Sequence, residues 1–455
     1  MPPRSKLAHS TAVFLGPSLP FAAAEKILPA DYFPPAARGD IYRIIASGVR
    51  TIVLIDGVFH GTRSVWQREI LDALGEGIEV LGASSMGALR AAELNAFGMV
   101  GHGTIFEWYR GGLIDGDDEV ALLHGPQELD FCALSEPLVN IRRTLQNAVH
   151  DWCMTEDQAR QLLDYAKRTY YPDRSYRHLL SCPALEKWPD RRDIEQYILT
   201  RAIDQKRLDA IGVLCRCAEG QAARRPVVVK SGESCSDVWR LERLRLTGFF
   251  SGSEIVSGND VLSEAAKEPV LVAQMQAVLA GRAFVLDLAR RKQRSVPDHL
   301  LEFYTRRWET TLDIVPGPDW LHANGLTYPS YRRLLAQHFL VDWLLDQETS
   351  DPTTRSPSTN GEADDADLVV RMPQRRLLAD WARENGIACP SDALDKYTGE
   401  IDAAGDSPGD CALTAWMMEK GPHYFGLDWC FESTLLEELQ ITGLAARLIA
   451  KARST

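Results

Sequence analysis

Residues 81–94, LGASSMGALRAAEL, decide the fold, because an apolar strand ends in small residues and two adjacent serines and a helix follows at once. The same succession occurs upstream, where apolar runs at 11–15 and 51–55 predict two more strands that end in small-residue turns. Helical patterns lie between them, at 21–28, 39–47 and 64–74. Three strand–turn–helix units in succession predict an α/β fold, a Rossmann-like parallel sheet with helices on both faces.

The rest of the chain predicts a largely α-helical C-terminal region, in which 227–229 is the only strong strand candidate. Two segments there, 320–330 and 381–391, each look like a helix that ends at Gly, a short turn, and a new helix that starts at Ser. We expect an α/β core domain at 1–145, a mainly helical domain at 146–348, a flexible linker at 349–367 and a helical segment at 368–455.

Composition excludes several classes of function. The formal net charge of −13 argues against nucleic acid as a partner, which would require a basic face. No apolar run is long enough to span a membrane, and the short apolar core of the first twenty residues predicts a strand rather than a signal peptide. The nine cysteines include no CxxC pair, which indicates reduced thiols and a cytoplasmic protein.

The predicted site lies where the strands end, because ligands of parallel sheets bind at the carboxyl ends of the strands. These ends carry Gly16, Pro17 and Ser18 after the first strand, Asp56 and Gly57 after the second, and Ser84 with Ser85 after the third, as the sequence order shows. We therefore expect the three turns to share one edge of the sheet.

Ser85 is the predicted nucleophile, because a serine on a sharp strand-to-helix turn matches the nucleophile elbow. Its neighbours two residues away, Ala83 and Gly87, are small, whereas Met86 is too large to flank Ser84 in the same way. The amide of Met86 and the helix N-terminus are the predicted oxyanion site. The alternatives are that the serines cap the helix or that the turn holds an anion.

A serine nucleophile needs a proton acceptor, and three residues are candidates for this role. His60 follows the second strand end by four residues, Asp56 lies at the strand end itself, and Glu69 lies in the first two turns of the next helix. Arg90, one turn beyond Ser85, could hold a substrate carboxylate or pair with Glu93.

An acidic segment at 115–119 supplies another candidate, Asp118. The segment could offer oxygen ligands to a divalent cation, but it lacks the spacing of an EF-hand loop, and we predict neither a metal nor a cofactor. The alternative is that Asp117 or Asp118 caps a helix over 119–123.

Several segments together resemble the TfuA-like family, in the family's order, over roughly residues 11–145. They are VFLGPSLP at 13–20, PPAARGDI at 34–41, IDGVF at 55–59, EILDAL at 69–74, GASSMGALRAAEL at 82–94, FGMVGHGTIF at 97–106, DDEVALLH at 117–124 and PLVNIR at 137–142. After Trp66 the family often has His-Lys, whereas this chain has Gln67-Arg68. If that histidine is the family's general base, His60 must replace it here or the chemistry differs.

The resemblance implies an accessory protein of YcaO-type enzymes, which activate peptide backbone amides with ATP. Such a helper is expected to hydrolyse the C-terminal thiocarboxylate of a ThiS-like sulfur-carrier protein and so deliver sulfide for thioamide formation in a ribosomally made peptide. Its expected partners are the YcaO-type enzyme, the carrier protein and, as a third candidate, the precursor peptide.

Three other functions compete with this interpretation. The protein could be a non-catalytic adaptor that recruits peptide or activates the YcaO partner. The strand–turn–helix edge could bind phosphate, although the sequence has neither GxGxxG nor GxxxxGK[ST]. An esterase acting on small molecules is the third.

Overall fold

The computed structural model describes residues 7–59, 63–220, 237–251, 254–268, 289, 293–311, 316–349 and 430–454. The chain divides into two compact units. Residues 7–220 belong to the first, and residues 237–251 and 255–454 contribute to the second. The domain boundaries expected from the sequence stay predictions.

The first unit is an α/β structure. Its described strands are β1 (Thr11–Phe14), β2 (Asp31–Phe33), β3 (Thr51–Leu54), β4 (Glu79–Ala83) and β5 (Val100–His102). Its described α-helices are α1 (Phe21–Ala24), α2 (Asp40–Ile45), α3 (Gln67–Gly75), α4 (Met86–Leu94), α5 (Thr104–Arg110), α6 (Leu138–His150), α7 (Glu156–Arg168), α8 (Tyr176–Leu179), α9 (Arg191–Thr200) and α10 (Gln205–Ala218).

The five strands form one parallel sheet in the order β2-β1-β3-β4-β5. This order confirms the predicted fold class, and it places the point where the strand order reverses between β1 and β3. Strands β2 and β5 were not predicted, because three residues are too few to establish an alternating pattern. The predicted strands β1, β3 and β4 are present, and the edge of interest lies at their carboxyl ends.

Alternate side chains of the strands enter two separate cores, one on each face of the sheet. On one face Phe14, Ile52 and Leu54 pack among side chains of α2, α3, α4 and α5. On the other face Val13, Val53 and Ile55 pack against α10, through side chains that the sequence assigned to a separate helical region: Ala210, Val213 and Leu214. Helix α10 therefore covers the sheet and brings its own polar residues toward the strand ends.

The second unit is mainly helical in its described part. It contains α11 (Asp237–Leu246), β6 (Gly248–Ser251), β7 (Glu254–Ser257) and α12 (Gly258–Ala265), followed by helices at Asp298–Thr311, Pro318–Ala323, Tyr328–Thr349, Cys430–Ile441 and Leu444–Ser454. Strands β6 and β7 pair with each other and were not predicted. The predicted strand at 227–229, the linker and the second repeat lie outside the described residues. None of the described helices is both long and apolar enough to cross a bilayer.

The first helical repeat is present as expected around Gly325, which adopts a left-handed φ of 64° between two helices. The second of these helices begins at Tyr328 rather than at Ser330. The side chains of Thr327 and Ser330 instead bond to each other's backbone amides, so Thr327 caps the helix and Ser330 lies inside it.

Candidate functional site

Asp56 is the centre of the edge formed by the strand ends. The residue follows β3 and is 1% exposed. Its Oδ2 accepts hydrogen bonds from the amides of Gly16 at 2.9 Å and Ser18 at 3.0 Å, and its Oδ1 accepts one from the Ser18 hydroxyl at 2.7 Å. The turn after β1, with Pro17 in the middle, thus wraps around the carboxylate. The predicted convergence of these two turns is confirmed.

The third turn joins the same cluster through a pair of hydroxyl groups. The Oγ atoms of Ser18 and Ser84 lie 2.9 Å apart, within hydrogen-bond distance. Both side chains are buried. A continuous hydrogen-bonded row therefore runs from Ser84 through Ser18 to Asp56, across three neighbouring strand ends.

Ser84 occupies a strained backbone position. Its φ is 67°, in the left-handed region that residues other than glycine avoid. The amide of Ser85 donates to the carbonyl oxygen of Ala83 at 2.9 Å, so the chain turns within three residues, with Ser84 at the apex. Strain of this kind is held by the surrounding structure and clusters at functional sites.

Ser85, the nucleophile predicted from the sequence, precedes α4 and is 2% exposed. Its side chain makes no capping hydrogen bond to the helix, so the alternative that it serves as an ordinary cap gains no support. The amide of Gly87 donates to the carbonyl oxygen of Ile55. Met86, the predicted oxyanion donor, packs its side chain over Gly57 at the neighbouring strand end.

Lys206 is a site residue that the sequence analysis missed. It lies in the first turn of α10, is 2% exposed, and places its Nζ 3.8 Å from Oδ1 of Asp56. Its Nζ also donates to the carbonyl oxygen of Val120 at 3.0 Å. Burial lowers the pKa of the Lys206 ammonium, and the nearby Asp56 carboxylate acts in the opposite direction. The sequence did carry a signal that Lys206 is buried, because the lysine shares a helix face with the apolar Ala210 and Val213.

A second acidic group lies behind Lys206. The side chain of Asn140 accepts from the Lys206 amide and donates to Glu136 at 2.8 Å and to Asp204 at 3.1 Å. Burial raises the pKa of Glu136 to about 7, and the neighbouring Asp204 adds to this effect. The carboxylates around the lysine thus partly offset the burial of its positive charge.

Glu69, a predicted base, is fully buried in α3. Both of its carboxyl oxygens accept from the Gly39 amide at 2.9 Å, and one accepts from the Trp66 amide at 3.3 Å. Burial raises the pKa of Glu69 to about 7, although these hydrogen bonds act against the rise. Its described contacts join α3 to the start of α2, and its role as base stays a prediction.

The raised pKa of Glu69 predicts a pH-dependent loss of stability. Because the folded value of about 7 lies above the ordinary 4.5, the folded chain alone binds the proton between these pH values. Stability therefore falls as the pH rises through this window, by about 3 kcal/mol at most. Glu69→Gln is expected to remove this part of the decline. Urea unfolding of both proteins from pH 4.5 to 8 checks it, and parallel curves would contradict it.

The other predicted residues lie as follows. His60 lies outside the described residues. Asp118 pairs with Arg174 at 2.7 Å, and the alternative of a helix over 119–123 is wrong, because the segment forms a single 3₁₀ turn at Asp117–Glu119. Arg90 pairs with Glu93 at 2.8 Å, as one of the two alternatives expected.

Among the described residues, no group of three or more His, Cys, Asp or Glu side chains is arranged to hold a metal ion.

Residues 56–175 match the family model described as TfuA-like protein. The matched region begins at Asp56, includes Ser84 and Ser85, and ends before Lys206 on α10. No curated protein matches the chain.

Proposed function

We propose that the chain hydrolyses the thiocarboxylate of a sulfur-carrier protein and so supplies sulfide for thioamide formation, because residues 56–175 match the model of the TfuA-like family, which is associated with YcaO-dependent thioamidation. The observation that carries this proposal is the hydrogen-bonded row from Ser84 through Ser18 to Asp56. This row offers a serine proton a route to a buried carboxylate, which is what acyl transfer to a serine requires.

The proposed reaction is an ordinary acyl transfer followed by hydrolysis. A serine oxygen of the β4–α4 turn attacks the carbonyl carbon of the carrier's terminal glycine, and the carbon–sulfur bond breaks to release hydrosulfide. Water then hydrolyses the resulting ester and leaves the carrier with a C-terminal carboxylate. The amide of Met86 is the first of α4, where no preceding turn of the helix supplies a carbonyl to accept from it, so Met86 is the proposed donor to the negative oxygen formed during attack.

Glycine is the residue best suited to reach this edge. Ser84 and Ser18 are buried, and the ring of Phe131 packs against Gly16 beside them. A tail without side chains, such as the Gly-Gly end of a ThiS-like carrier, is narrow enough to approach a site enclosed in this way. We propose that the YcaO-type partner uses the released sulfide in the cytoplasm, and that the helical part of the chain docks one of these proteins or the precursor peptide.

A sulfide-release assay tests the proposal. The full chain is incubated with a carrier protein that ends in a Gly-Gly thiocarboxylate, with and without the YcaO-type partner, and free sulfide is measured over time. We expect release that depends on this protein and on the thiocarboxylate, with no release from the same carrier ending in a carboxylate. If sulfide does not appear with or without the partner, while the carrier or peptide still binds, the protein is an adaptor. Turnover of simple activated esters without any release of sulfide from the carrier would favour an esterase.

A further inference from the structure

The hydrogen bonds at the strand edge have a definite direction. A serine hydroxyl has one proton to donate and two lone pairs to accept with. The proton of Ser18 is used in the bond to Asp56, whose ionised carboxylate can only accept. In the bond between the two hydroxyls, Ser84 must therefore be the donor and Ser18 the acceptor. The proton of Ser84 already points along the row toward Asp56.

Backbone conformation distinguishes the two serines of the turn. Ser84 is at the apex of the sharp turn, with its left-handed φ of 67°, which is the strained position of a strand-to-helix elbow. Ser85 follows the apex with a φ of −108° and a ψ of −123°, which is neither helical nor extended, so the left-handed φ alone distinguishes Ser84 from it. The rule of small flanking residues favoured Ser85, because Met86 is large, but the side chain of Met86 packs onto Gly57 at the neighbouring strand end.

From this geometry we infer that Ser84, rather than Ser85, is the nucleophile of the proposed hydrolysis, and that Ser18 relays its proton to Asp56. This inference rests on the proposed function. Ser84 Oγ bonds to the carbonyl carbon while its proton moves to Ser18 Oγ and the Ser18 proton moves to Asp56 Oδ1. The proton then returns from Asp56 through Ser18 to the departing sulfur, so the carbon–sulfur bond breaks, hydrosulfide leaves and Asp56 is a carboxylate again. Water next attacks the Ser84 ester, one water proton moves along the row to Asp56 and returns to Ser84 Oγ as the ester bond breaks, and the carrier leaves as a carboxylic acid that ionises in solvent.

Lys206 balances the charge of this relay. The Asp56–Lys206 pair carries no net charge at the start, because a carboxylate faces an ammonium 3.8 Å away. When Asp56 receives the relayed proton, the pair becomes positive at the moment when the reacting carbonyl oxygen becomes negative. Lys206 is therefore a positioning residue that acts through Asp56 and does not itself need to touch the substrate.

The adjacent serines provide a matched test. Ser84→Ala and Ser85→Ala remove the same atom from neighbouring buried positions. We expect Ser84→Ala to lose sulfide release by roughly 10³-fold and Ser85→Ala to stay within about tenfold of wild type. Ser84→Gly relieves the left-handed strain, so it keeps the test valid if the alanine variant does not fold, and we expect it to be equally inactive. Ser18→Ala is expected to be slow but to retain Ser84 as the site of acylation.

Acylation identifies the nucleophile directly. After a rapid acid quench, intact-mass measurement and peptide mapping are expected to locate the ester of the carrier on Ser84, both in wild type and in Ser85→Ala. An ester on Ser85, or full activity of folded Ser84→Gly, overturns the inference while the proposed function stands. If wild type releases no sulfide at all, the proposed function and the inference fall together.

Discussion

Asp56→Asn is expected to abolish sulfide release and to destabilise the first unit. The amide that replaces the carboxylate is a far weaker proton acceptor, so we expect a loss of roughly 10³-fold or more in the rate. The variant also removes the carboxylate that pairs directly with the buried Lys206, and breaking one side of a buried ion pair costs about 3–5 kcal/mol. Sulfide release and urea unfolding of the same preparation measure the two effects separately.

A double variant, Asp56→Asn with Lys206→Met, separates the effect of charge pairing on stability from the effect on catalysis. Lys206→Met alone leaves Asp56 as an unbalanced buried carboxylate, so it too is expected to be less stable than wild type. In Asp56→Asn with Lys206→Met both charges are absent, and the loss of stability is expected to be smaller than the sum of the two single losses by about 1–3 kcal/mol. Activity should remain lost. If the losses of stability simply add, the two residues do not interact as the structure has them.

Gly87→Ala is expected to have the largest effect on stability. A Cβ atom at Gly87 would lie 1.7 Å from the carbonyl oxygen of Leu54, a backbone atom that cannot move aside alone. Helix α4 would have to leave β3, which disrupts the core on that face of the sheet. We expect a loss of about 4 kcal/mol or more, or failure to fold.

Gly75→Ala is the matched control for this prediction. Gly75 is the last residue of α3, and a Cβ atom there would meet nothing within 4 Å. Alanine is favoured over glycine in a helix, so this variant is expected to equal or exceed wild type in stability, by up to about 1 kcal/mol. Thermal unfolding of the two variants compares them directly. A stable Gly87→Ala protein would show that α4 does not pack on β3 as described.

The strand ends could be predicted from the sequence because parallel strands impose the arrangement. Fully apolar runs that stop at small residues or at Asp56 give the direction of each strand, and parallel pairing then brings the ends to one edge. Ser18, Asp56 and Ser84 meet there as expected. The pairing order of the strands had no such local signal, since it is decided by how the helices pack on the two faces.

The remaining site residues depend on long-range packing. Lys206 meets Asp56 only because α10 folds back over the sheet, 150 residues further along the chain. The choice between Ser84 and Ser85 depends on one backbone angle and on the direction of the Met86 side chain, which sequence spacing does not encode. Glu69 is likewise buried by the packing of α2 on α3, across which it accepts hydrogen bonds from the Gly39 amide.

The most direct measurement of the central claim follows the oxygen atom that replaces sulfur. The thiocarboxylated carrier is incubated with the wild-type protein in H₂¹⁸O, and the products are analysed by mass spectrometry together with a sulfide assay. Hydrolysis at the strand edge predicts one ¹⁸O in the carrier's new carboxylate and one sulfide released for each carrier converted. Carrier that keeps its thiocarboxylate at the rate of the protein-free control, with and without the YcaO-type partner, would contradict the account.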